Sequence, residues 1–222
     1  MLDPGYLKPS RCVESDAPPI VDFARSCVGN ASAPTDMAIR LYYAVRDSVI
    51  YDPYQAYADD NTYSACVALE RGRGFCIAKA ALLAACARAA GIPARLGFAD
   101  VRNHLATPRL IEMNGSDVFR WHGYTDLWLD GKFVKATPAF NLSMCQRFDV
   151  MPLEFDGRND SILHPYDQKD RRHMEYLLDR GTFAEVPVEK IIATFRENCP
   201  RVLEPDGFRG GDFVNEATTE RR

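Results

Sequence analysis

"GRGFCIAKAALLAACARAAGIPAR", residues 72–95, is the stretch whose reading decides the fold. It is rich in alanine and leucine, which lose little on entering a helix, and it is closed by Gly91 and Pro93, so it predicts one helix beginning at Cys76. A helix start carries unpaired backbone N–H groups and the positive end of the macrodipole, both of which favour a thiolate. The dipole supplies about 0.3 to 2 kcal/mol, equivalent to roughly 0.2 to 1.5 pKa units, so a larger shift needs a neighbouring imidazolium. Gly72 and Gly74 let the backbone pass close to a substrate, and the N–H of Cys76 is a candidate oxyanion donor. The competing reading is a small apolar core thiol, the role expected for Cys86 ten positions on.

The chain has 222 residues, a formal charge of −4 and seven cysteines. That length fits one compact domain, with or without a tail. A mildly acidic chain without a Lys/Arg cluster argues against a nucleic-acid partner or an anionic membrane surface. The start, "MLDPGYLKPSRC", has no apolar h-region, and the apolar run from Ile77 to Ile92 is interrupted by Lys79 and Arg88. Together they predict a cytoplasmic protein without a membrane span. An odd cysteine count with no C-x-x-C pair predicts neither a disulfide framework nor a structural zinc site, and nothing implies a metal, nucleotide or flavin cofactor.

Along the chain, residues 1–33 read as an irregular lead-in with a short helix, 34–200 as a single domain, and 201–222 as a frayed tail. Within the domain a helix runs from Pro34/Thr35 towards a stop at Pro53, a short helix sits in "SACVALERG", and "ARLGFADV" alternates as a strand. The segment "RNHLATPRLIEMNGSD" reads as a loop excursion, and 147–172 as polar loop. "HMEYLLDRG" and "PVEKIIATFREN" read as helices. Helices grouped before and after an antiparallel sheet make an α+β fold.

"WHGYTDLWL", Asp130-Gly131 and "KFVKATPAF" form the clearest hairpin signal, because Asp-Gly suits a two-residue turn. The register then pairs Leu129 with Lys132, Trp128 with Phe133, Asp126 with Lys135 and Tyr124 with Thr137. Alternation puts His122, Tyr124, Asp126 and Trp128 on one face with Phe133, Lys135, Thr137 and Ala139. His122 is thereby the strand-held candidate base. His104, in the loop "NHLATP", ranks second as base and stays open as a substrate contact; His164 and His173 read as solvated.

The Gly-x-Cys helix start, the "RAAGIPAR" exit and "WHGY...DGKFVKATP" resemble the transglutaminase-like superfamily over roughly residues 38–142. The resemblance implies a papain-like fold in which a nucleophile helix packs on an antiparallel sheet. It also implies Cys76 as nucleophile and His122 as general base. Where the family usually carries an aspartate, counting from His122 arrives at Thr137, in "ATPAF". The residue orienting His122 is therefore Thr137, Asn141 or Asp126. Gln55, Tyr57 and Tyr63 are candidate oxyanion or substrate contacts upstream.

This chemistry is acyl transfer on a peptide, protein or small amide: a thiolate attacks the carbonyl, helix-start N–H groups hold the oxyanion, and imidazolium protonates the leaving amine. Hydrolysis is favoured over transfer to an amine because water needs no second site. Two alternatives are a degenerate binding module on the same fold and an arylamine N-acetyltransferase-like enzyme, whose Arg-Gly-Gly-x-Cys start "RGRGFC" loosely imitates. The "GIPAR" exit argues against the second.

Overall fold

The protein was analysed as a computed structural model that describes residues 2–104, 106–163, 173–204 and 213. Helices α1 (Pro18–Val28), α2 (Pro34–Ser48) and α3 (Ala65–Arg71) precede the central helix α4 (Cys76–Ala89), with a short parallel pair, β1 (Ile50–Tyr51) and β2 (Arg73–Gly74), leading into it. Strands β3 (Ala94–Asn103), β4 (Val118–Leu129), β5 (Lys132–Ala136) and β6 (Met174–Phe183) form one antiparallel sheet in the order β5-β4-β3-β6. Helix α5 (Pro108–Asn114) lies between β3 and β4, α6 (Leu142–Phe148) follows β5, and α7 (Val188–Asn198) follows β6. The arrangement is α+β, as expected.

Every residue of α4 from Ile77 to Arg88 is buried, because β4 covers one side and α1, α2 and α3 the others. A helix surrounded in this way has no polar stripe, which is why its sequence is nearly continuous alanine and leucine. Its two charges are spent on backbone carbonyls. Lys79 Nζ donates to the carbonyls of Arg46 and Val49 at the end of α2. Arg88 donates to the carbonyls of Ala94, Lys8 and Ala184 at 2.6 to 3.1 Å. Cys12, Val13, Ile20 and Ala24 from the first 33 residues belong to the same buried core, and so do Val202 and Phe213 beyond residue 200.

Glycine fixes how closely α4 approaches the sheet. A Cβ on Gly123 of β4 would lie 3.1 Å from the Ile77 Cα, so with any other residue the first turn of the helix would have to shift by a few tenths of an ångström off the strand. One turn further along, Thr125 Oγ1 donates to the Ala80 carbonyl at 2.8 Å, fixing the helix against β4.

The Asp130-Gly131 turn forms as read, with positive φ at both residues (49° and 84°), the combination a two-residue hairpin loop of this kind requires. The register Leu129↔Lys132, Trp128↔Phe133 and Asp126↔Lys135 is the expected one. The ladder ends at Thr125↔Ala136, one pair short of Tyr124 and Thr137.

Three expectations are overturned. The loop excursion contains α5, started by the Thr107 hydroxyl accepting from the Leu110 N–H and by Pro108 in the first turn. Helix α6, at Leu142–Phe148, falls mostly where no sequence signal marks an element, being too short for a periodic pattern to emerge. "HMEYLLDRG" is not a helix: residues Met174–Phe183 form β6, an edge strand on β3, with pairing prevailing over local helix preference. His173 is buried rather than solvated, its ring stacked on Phe140, whereas His164 lies outside the described residues.

Candidate active site

The site arises where β4 departs from regular alternation. Ala99 pairs with His122 but Val101 pairs with Phe119, so Arg120 and Trp121 together oppose the single residue Asp100. This is a β-bulge, a device that re-aims side chains. Its mark is Trp121 at φ 60°, a conformation a bulky residue rarely adopts. Surrounding contacts hold it there. The Trp121 N–H donates to Asp100 Oδ1 at 3.1 Å, its indole N–H donates to Thr194 Oγ1 at 2.9 Å, and the Arg180 guanidinium lies 4.8 Å from its ring centroid. In a regular strand successive side chains point to opposite faces. Here Phe119, Arg120, Trp121 and His122 all line one cavity, of about 80 Å³, and Cys76 lines it with them.

Cys76 is the first residue of α4, after Phe75 in an extended conformation with no side-chain cap, so the first-turn N–H groups remain directed at the cavity end of the helix. The sequence expects an easily formed thiolate at this position. Burial is the larger influence and pushes the Cys76 thiol up to about 11, while the backbone N–H groups of Gly123, Ile77 and Cys76 itself pull it down. Burial also pushes His122 down to about 4. Between these values both groups are neutral, so the resting pair is thiol and imidazole, and the imidazole is in the protonation state a general base needs. Iodoacetamide labelling of Cys76 is accordingly expected to climb with pH towards about 11, with no plateau between the two values. A plateau starting near pH 4, measured by peptide mapping across the range, would instead indicate a preformed thiolate–imidazolium pair.

His122 is buried and its Nε2 has no hydrogen-bond partner. The three candidates for orienting it differ in what else they do. Asp126 is ion-paired with Arg95 at 2.9 Å, its cross-strand neighbour. Asn141 accepts from the Tyr51 N–H at 2.9 Å and donates to Ser143 Oγ at 2.7 Å. Asn141 is committed elsewhere, whereas Asp126 is committed through Oδ2 alone, its Oδ1 being buried without a hydrogen-bond partner. Thr137 is fully buried with Oγ1 unpartnered, while its carbonyl accepts from the Tyr42 hydroxyl at 3.2 Å. An unpartnered buried hydroxyl costs about 1 to 3 kcal/mol, and a neutral hydrogen bond formed during reaction contributes about 0.5 to 1.5. Thr137→Val is therefore expected to raise the melting temperature while slowing acylation of Cys76 by roughly 2- to 12-fold. A raised melting temperature with an unchanged rate would remove Thr137 from the site.

Of the upstream candidates, Tyr57 lines the cavity, with its hydroxyl donating to the Pro53 carbonyl at 2.6 Å. Gln55 faces a separate groove and donates to the Asp52 carbonyl. Tyr63 is wholly buried, bonded to the Tyr57 carbonyl. His104 is exposed, 3.2 Å from Glu175, and is not part of the cavity wall. Sequence reading missed Arg120, Trp121, Phe140 and Phe213 as lining residues. A bulge leaves no periodic signature, and Phe140 and Phe213 arrive from outside the strand. Among the described residues no helix is long and apolar enough to cross a membrane, and no group of three or more His, Cys, Asp or Glu is placed to hold a metal ion.

Comparison with known proteins bears on the family and the fold. No curated protein matches the sequence. Among solved structures, the chain is similar to one titled "Putative Cysteine Protease from Cytophaga hutchinsonii", at 18% identity over 83% of this chain with a TM-score of 0.50; the chain spans 48% of that protein. It also matches a structure titled "putative protease from Parabacteroides distasonis", at 18% identity over 62% of this chain and 25% of the other, with a TM-score of 0.38. The first match supports a shared fold. The model of the Transglutaminase-like superfamily core matches residues 21–138, a span that contains Cys76, His122 and Thr137. The chain belongs to the transglutaminase-like superfamily.

Proposed function

We propose that this chain is a cysteine-dependent acyl-transfer enzyme that hydrolyses an amide or isopeptide bond through a thioester intermediate. The observation that carries the reading is the single cavity shared by the Cys76 thiol, at a helix start, and a buried, neutral His122. In the first half-reaction, His122 accepts the thiol proton as Sγ bonds to the carbonyl carbon. The C–N bond then breaks and the departing amine takes the proton from His122. In the second, water adds to the thioester while His122 accepts its proton, the C–S bond breaks, and the proton returns to sulfur. The first-turn N–H groups of α4 are available to the oxyanion in both halves. The substrate class is a peptide, a protein or a small amide, and a cavity of about 80 Å³ suits an acyl group or a single side chain.

The choice between water and an amine is tested by partition. The enzyme is acylated with p-nitrophenyl acetate and the fate of the acetyl group is followed with and without a primary amine such as glycine methyl ester. Hydrolysis predicts that nitrophenol release continues at an amine-independent rate and that acetate is the main product. An acetylated amine as the main product at millimolar amine would replace hydrolysis by transamidation.

A further inference from the structure

We propose that Arg120 binds a substrate carboxylate inside the cavity that holds Cys76, so that favoured substrates carry a carboxylate close to the scissile amide. The proposal rests on the acyl-transfer reading of the site and names a substrate class for it. Arg120 lines the cavity together with Cys76 and His122, and its Nη1 is buried there without a hydrogen-bond partner. A guanidinium nitrogen withdrawn from water with no acceptor is costly, and a planar fork of donors matches a carboxylate better than any other common group.

The bulge explains why Arg120 is left unpaired. Its cross-strand neighbour, the carboxylate of Asp100, is already taken: Arg180 binds it through both Nε and Nη2, the latter at 2.7 Å, and the Trp121 N–H donates to it as well. Arg180 thereby occupies the carboxylate opposite the bulge. Other arginines in partly buried positions are consumed by the protein itself: Arg46 by Asp47 and Glu154, Arg88 by carbonyls, Arg95 by Asp126. The group Arg120 does influence is the Cys199 thiol, held neutral at ordinary pH because burial raises it to about 11. The cavity that Arg120 lines is walled largely by apolar and aromatic side chains, Phe119, Trp121, Leu110 and Met113 among them, which strengthens the pairing of an anion bound inside it.

The test reads binding alone. Cys76 is alkylated with limiting iodoacetamide, at constant ionic strength, in the presence of N-acetylalanine (a chain-terminal carboxylate), N-acetylglutamic acid α-amide (a side-chain carboxylate) or N-acetylalanine methylamide (neutral). At least one carboxylate is expected to protect at concentrations roughly 10- to 100-fold lower than the neutral compound. Which one does so identifies the source of the carboxylate. Arg120→Gln is expected to abolish the difference, and Arg120→Lys to retain part of it, because lysine keeps the charge and loses the fork. Equal protection by the charged and neutral compounds in the wild-type protein overturns the proposal and needs no variant; so does a carboxylate preference that survives in a folded Arg120→Gln protein. Because no acyl group is transferred in this assay, protection that persists while active esters fail to acylate Cys76 would remove the acyl-transfer reading and leave Arg120 as a carboxylate site.

Discussion

Replacing His122 with alanine is expected to slow acylation of Cys76 by p-nitrophenyl acetate by about 100- to 10,000-fold at neutral pH, the range that a positioned general base contributes. The size of the effect follows from the resting protonation states. With the thiol near 11, only a small fraction is thiolate at pH 7, and the backbone N–H groups around Sγ do not reverse the effect of burial. In the proposed mechanism the reaction therefore depends on His122 removing the proton as the S–C bond forms, and an imidazole held near 4 is unprotonated over the whole working range. The dependence on His122 is expected to fade as pH approaches about 11, where the thiol ionises unaided. A stopped-flow pH profile of the two proteins would reveal converging curves. Parallel curves up to high pH would mean that His122 acts only by shaping the cavity. His104→Ala is expected to leave the profile unchanged, because that ring is exposed and paired with Glu175.

Gly123→Val is expected to cost the second largest amount, roughly 100-fold in acylation rate, with Gly123→Ala nearer tenfold, since a displacement of about 1 Å at a reacting centre can cost a hundredfold. The cause is backbone contact rather than chemistry. A Cβ at 123 would stand 3.1 Å from the Ile77 Cα and 3.4 Å from the Ile77 nitrogen, and a helix backbone cannot rotate out of the way as a side-chain tip can. The first turn of α4 must lift off β4, carrying Cys76 with it, and overpacking of this kind also destabilises by about 1 to 3 kcal/mol. The kinetic loss is expected to exceed what lowered stability alone produces, so rates measured well below the melting temperature separate the two. A destabilised Gly123→Val protein with a wild-type acylation rate would show that the contact serves folding only.

Those two positions also mark how much was legible in the sequence. The α4 helix could be read because its caps, composition and length agree, and the hairpin because Asp130-Gly131 specifies both turn and register. The candidate nucleophile, Cys76, and the candidate base, His122, were placed on those elements. What could not be read depends on tertiary pairing. β6 looks helical in isolation and becomes a strand because β3 offers it an open edge. The bulge at Arg120 and Trp121 changes which residues face the cavity, and no two-residue periodicity announces it. The expected pairing of Tyr124 with Thr137 fails for the same kind of reason, the ladder ending one pair earlier than a uniform hairpin would. The ease of thiolate formation was misjudged because sequence displays the helix dipole but not the surrounding protein that desolvates the sulfur.

The central claim is that Cys76 is the nucleophile and His122 its base. It is tested most directly by single-turnover reaction with p-nitrophenyl acetate at neutral pH, quenched in acid and followed by intact mass and peptide mapping. The account predicts one acetyl group, on Cys76, formed in a burst in the wild-type protein, absent in Cys76→Ala and strongly slowed in His122→Ala. Acetylation first at Cys27 or Cys66, the other two cysteines that are not fully buried, or an equal burst in His122→Ala, would contradict it.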